Sequence, residues 1–190
     1  ATLIWSLERT AQEAKAGEDV RPEESADRLR EAWRHAHFLL EADRADNEAV
    51  RRLGALSKLE LDLIEHGAYT PQSQNENEQL SDRRAWRALQ LSQEYREAHS
   101  QLPWRDNQTA NRLSLEIDTR VLNALREVVG ATDDERWREA LVQRGVETAR
   151  RLLGDADRYT RTTAGDTDQT ATKQHYQQTL HHQLSSEIRI

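Results

Sequence analysis

The chain has 190 residues and a mass of 22.0 kDa; 36% of it is hydrophobic and 32% charged, with seven Gly, three Pro, no Cys and no Met. No apolar run approaches the roughly twenty residues of a membrane-spanning helix, and the lack of cysteine excludes a disulfide framework, a thiol nucleophile, Cys-ligated zinc and an iron–sulfur cluster. A formal charge of −7 sets the molecule as a whole against nucleic acid and anionic membrane, and so few Gly and Pro argue against a turn-rich all-β chain.

Helical periodicity begins at once. Leu3, Ile4, Leu7, Ala11 and Ala14 share a face that Gly17 should end. Pro22 suits the first turn of a second helix, whose stripe is Ala26, Leu29, Trp33, Ala36, His37 and Leu40. The polar stretch 41–48 either breaks this helix, with Asn47 capping the next, or is the exposed part of one long rod over 22–66. Val50, Leu53, Leu56, Leu59, Leu63 and Ile64 resume the apolar face up to Gly67. Residues 68–81 have turn chemistry, after which Ser81 or Asp82 should cap a helix bearing Ala85, Trp86, Leu89, Tyr95 and Ala98, closed by Pro103.

The best amphipathic segment comes next. Ala110, Leu113, Ile117, Val121, Ala124 and Val128 recur with the rhythm of a helix–helix seam, widened by Leu125 and Val129. Asn107 reads as its N-cap and Gly130 as a left-handed C-cap. Thr132-Asp133-Asp134-Glu135 is a capping box for a helix presenting Trp137, Leu141, Val142, Val146, Ala149, Leu152 and Leu153, with Gly154 as its stop. These two helices should form an antiparallel hairpin. Residues 160–190 are polar, with Tyr176, Leu180, Leu184 and Ile188 spaced four apart; if helical, their stripe is too thin to hold by local packing and calls for a partner. The expected fold is all-α, an antiparallel helical bundle or stacked helical hairpins of six to seven helices. Residues 1–159 form the bundle domain and 160–190 a C-terminal extension docked on a partner.

Functional signals are few. His37 and Glu41 lie one turn apart, as ligands of helical metal sites do, but such sites need further ligands from other helices, for which His66, His99, Glu94 and Glu97 are the candidates. His181-His182 diverge on a helix, so with His175 they do not form a metal site. Arg30-x-x-x-x-His35 resembles the Arg–His spacing of helical HEPN ribonucleases, which implies a His and an Arg that activate a ribose hydroxyl and hold the phosphate. That match covers two residues of 190, in a chain where 24 of 27 cations are Arg. The alternative catalytic or metal set is therefore Arg30, His35, His37 and Glu41.

Arg rather than Lys suits planar ion pairs and interfaces. The doublets at 51–52, 83–84 and 150–151 read as solvated, ion-paired faces. Trp33 and Trp137 read as core; Trp5 and Trp104 are harder to bury and suit anchors of protein contact. No phosphate loop, catalytic triad order, HExxH or calcium loop is present. The sequence thus points to a non-catalytic structural or interaction protein, a subunit of a larger assembly such as a virus particle, a secretion machine or a scaffold, with no cofactor. It would bind other proteins or itself through Trp5, Trp104, Tyr176, Leu180, Leu184 and Ile188. The alternatives are a small helical enzyme or a helical ligand sensor. The start Ala1-Thr2-Leu3 lacks the apolar run of a signal peptide, so the expectation is cytoplasmic synthesis, with incorporation into a virion as one destination.

Overall fold

The computed structural model describes residues 2–18, 20–44, 46–72, 79–102 and 108–162. Within them six helices and no strand are found: α1 Thr2–Lys15, α2 Pro22–Ala42, α3 Asn47–Glu65, α4 Leu80–His99, α5 Gln108–Ala131 and α6 Glu135–Thr162. The all-α expectation holds, and the stretch 41–48 is a break and not a rod. Asp46, one residue before the expected cap, accepts a hydrogen bond from the Glu48 backbone N–H and opens α3.

Cross-helix contacts give the directions. Trp33 reaches Glu60 across the short link 43–46, and Arg87 lies by Glu60 while Tyr95 lies by Gly54, so α2 and α4 each run antiparallel to α3. Tyr95 bonds Ala110 while Ser92 bonds Asp118, the reversed order of an antiparallel α4–α5 pair. Lys58 pairs with Glu116 and Asp62 with Arg120, so α3 and α5 run parallel. The last hairpin also forms: Leu115 and Leu122 of α5 pack with Ala149, Leu152, Ala156 and Tyr159 of α6. The result is a bundle in which α3 and α5 lie at the centre, with Leu53, Leu56, Leu63, Leu91, Ile117 and Val121 in the core.

Several boundaries differ from the sequence reading. Gly17 and Gly67 do end helices in left-handed conformations, with φ of 80° and 74°. Gly130 and Gly154 do not; both sit inside helices, and α6 continues three residues past Tyr159. A helix passes through glycine at a cost of about 1 kcal/mol, which the packing of Ala156 and Tyr159 on Leu115 and Leu122 can offset. Helix α4 starts two residues before Asp82, with Gln79 as a cap that makes no side-chain bond. Asp134, not Thr132, caps α6, accepting from the Trp137 backbone N–H at 3.1 Å. Asn107, Trp104 and the positions Tyr176, Leu180, Leu184 and Ile188 lie outside the described residues, as do His175, His181 and His182.

Gly54 marks a close approach of α3 and α4. A Cβ there would lie 2.5 Å from Tyr95 Cε2 and 2.8 Å from Cζ. The ring cannot yield easily, because Tyr95 is fully buried and its hydroxyl donates to the Ala110 carbonyl at 2.7 Å. Gly54→Ala is therefore expected to destabilise the protein in urea unfolding, its overpacking of about 1–3 kcal/mol exceeding the propensity gain of about 1 kcal/mol. In a Tyr95→Ala background the same substitution should instead stabilise.

Candidate functional site

The arrangement most resembling a site lies on the outer side of α2, α3 and α4. Along α2, Arg30, Trp33, His37 and Glu41 recur every three or four residues and so share one face. The face is polar because it closes over a carboxylate: Glu60 of α3 is only 1% exposed. Its Oε2 accepts from Trp33 Nε1 at 2.5 Å and from Arg87 Nη2 at 3.0 Å, and its Oε1 accepts from Arg87 Nε at 2.6 Å. The Arg87 guanidinium also lies over the Trp33 ring, 5.6 Å from its centroid, while His37 stacks on Trp33 at 5.4 Å. An open groove of about 550 Å³ runs above this cluster, edged by Tyr69 and Gln72 after α3.

This groove gathers Arg30, Trp33, His37 and Glu41; His35 is exposed and does not line it, so the Arg30–His35 pair is not brought together there. The chemistry of the centre is that of a lock. Burial works against the Arg87 charge, but the hydrogen bonds and charge of Glu60 outweigh it and push Arg87 up. Burial, reinforced by Glu60, pushes the Tyr69 phenol up and keeps it protonated. With three N–H donors on its two oxygens, Glu60 is engaged as a tie between helices. Among the described residues no group of three His, Asp or Glu side chains could hold a metal ion.

A second buried carboxylate ties α4, α5 and α6. Asp118, 1% exposed, accepts from Ser92 Oγ at 2.7 Å and from Arg96 Nη2. Arg96 in turn lies 4.0 Å from Asp155 of α6. One turn further, buried His99 shares a 2.7 Å hydrogen bond with Asn111 and stacks on Tyr95. Neither Glu60 nor Asp118 was singled out in the sequence, though both carried a signal. Each occupies an apolar register, Glu60 between Leu56 and Leu63, Asp118 between Leu115 and Leu122. A carboxylate there must find a cation.

Burial pulls His99 down, partly opposed by Asn111 and Asp155 and reinforced by Arg96, so the fold prefers the neutral ring. Below its ordinary value of 6.5 the unfolded chain binds the proton first, and stability is lost as pH falls. Asp155 works in the opposite sense: burial raises its carboxyl, so between 3.8 and its raised value the folded protein holds the extra proton. His99→Gln is expected to flatten the melting temperature between pH 7.5 and 5.5 relative to wild type, as read by circular dichroism.

The remaining feature is the surface of α6. This 28-residue helix lies along α5, with Trp137 reaching α4, where its Nε1 donates to Asp82 at 3.0 Å and its ring stacks on Trp86. Leu141, Thr148, Ala149 and Leu152 fill the inner face. Val142, Val146 and Leu153, expected on the same core face, are instead 37–44% exposed. The apolar arc of α6 is wider than one neighbouring helix can cover. Trp5, at 61%, is exposed as the sequence suggested, and Phe38, at 68%, is also exposed. Trp33 is buried and Trp137 half-buried against the core, but Trp86 stays half-open beside it. No helix among the described residues is long and apolar enough to cross a membrane. No family model, no curated protein and no solved structure matches the chain, so the reading of its function rests on its own residues.

Proposed function

We propose that the protein is a non-catalytic helical interaction protein, a subunit of a larger protein assembly, and that the outer face of α6 is its principal contact surface. The observation that carries this reading is the apolar stripe Val142, Val146 and Leu153 left uncovered on a long helix. Scattered exposed apolar residues are ordinary on protein surfaces, but an aligned row marks a contact site. Trp5, Phe38 and Trp86 supply further aromatic surface of the kind that anchors protein contacts. The buried ion pairs at Glu60 and Asp118 support the reading from the other side, since they hold helices in register and each carboxylate is engaged by its cation.

The test is a photo-crosslinking amino acid at position 146 of the full chain, in cells that make the protein, with position 23 on exposed α2 as control. The expected result is an adduct of higher mass from 146 and none from 23. No adduct from 146 overturns the reading. The alternative, a small helical enzyme, has one observation in its favour: Arg30, His37 and Glu41 border a common groove. RNA cleavage abolished by His37→Ala would support it over the first.

A further inference from the structure

The outer stripe of α6 is complementary to itself. Val142, Val146 and Leu153 are exposed at spacings of four and seven, and the buried Ala149 stands at the edge of the row where it meets α5, so the register is that of a two-helix seam. At about 100° per residue, the eleven positions from Val142 to Leu153 return to within about 20° of the starting direction. The row therefore runs straight along the helix. Laid against a reversed copy, Val142 faces Leu153 at both ends of the row, and Val146 comes over the small, buried Ala149.

The charges beside the row obey the same reversal. On its solvent flank stand Arg136, Gln143, Arg150 and Asp157, each seven residues after the last and all exposed. In the reversed register Arg136 comes beside Asp157 of the second copy, and Gln143 beside Arg150. Among the described residues the ion pairs of α6 engage Arg144, Glu147 and Asp155, and none engages Arg136, Arg150 or Asp157. A parallel register would instead set Glu139 against Glu139. We infer that α6 pairs antiparallel with α6 of a second copy, giving a two-fold dimer in which each contact occurs twice.

This inference rests on the interaction reading and names its partner. The C-terminal sequence is a poorer occupant. Tyr176, Leu180, Leu184 and Ile188 are four apart throughout, a spacing that drifts by about 40° per step on a helix. Residues 174–190 also offer only Glu187 and Arg189 as charged groups to answer those flanking the row.

The chain has no cysteine, so introduced thiols report unambiguously. Full-length Val142→Cys and Leu153→Cys proteins, mixed and mildly oxidised, are expected to form chiefly the mixed disulfide. Asp157→Arg should weaken the dimer several-fold in sedimentation equilibrium, and Arg136→Asp combined with it should restore the dimer, a rescue that a merely structural role would not give. A Val142→Cys homodisulfide in place of the mixed one overturns the antiparallel register. A wild-type mass of 22.0 kDa at every concentration overturns self-pairing. In that event an adduct from position 146 to a different protein leaves the interaction reading standing, and one to residues 174–190 of the same chain assigns the stripe to that segment.

Discussion

Glu60→Ala is expected to cost about 3–5 kcal/mol in urea unfolding, the scale for removing one partner of a buried ion pair. The carboxylate is buried under α2 and α4 and answers two donors at once, the Trp33 indole and the Arg87 guanidinium. Without it both donors stay enclosed with no acceptor, so the loss is larger than the net worth of the bonds themselves. Glu60→Gln keeps one acceptor oxygen and should fall between wild type and Ala. Replacing the whole cluster, with Glu60→Leu, Arg87→Met and Trp33→Phe together, should recover most of the loss, because no polar group is then stranded. A Glu60→Ala change within about 0.5 kcal/mol of wild type, the usual range for a surface position, would mean that the cluster does not hold α2 in place.

Asp118→Ala should have a similar effect, about 3–5 kcal/mol, for the same reason at the other side of the bundle. Here the stranded groups are the Ser92 hydroxyl and Arg96, whose remaining acid, Asp155, stands 4.0 Å away. The consequence reaches α6. Arg96 stands between Asp118 and Asp155, and its charge offsets part of what burial does to the Asp155 carboxyl. Hydrogen exchange should therefore rise along α6 as well as at the start of α5. Asp118→Asn still accepts from Ser92 and should cost less. Protection of α6 unchanged in Asp118→Ala would place its anchorage wholly in the apolar seam with α5.

The seam of α5 was legible because one row, Ala110 to Val128, faces a neighbour over its whole length, and period alone specifies that. Gly17 and Gly67 were legible as stops because their chain turns through a left-handed conformation that other residues resist. Gly130 and Gly154 look the same in sequence and were misread, since whether a helix passes through glycine depends on what packs around it. The width of the α6 arc misled in the same way: Leu141 and Val142 are adjacent and equally apolar, and only the position of α5 decides which is buried. Of the candidate site, the shared face of Arg30, His37 and Glu41 followed from spacing. The partners Glu60 and Arg87 did not, because one helix cannot show which side chain of another lies above it. Trp5 was readable as hard to bury, since its short N-terminal helix carries little apolar surface.

The proposed assembly requires α6 to meet α6 of a second copy. Molar mass by light scattering, over micromolar to hundred-micromolar concentrations, measures that directly. The wild-type chain is expected at twice 22.0 kDa. A variant with Val142→Ser, Val146→Ser and Leu153→Ser should run at the single-chain mass with unchanged helical circular dichroism. Equal masses for the two proteins, whether single or double, would contradict the account.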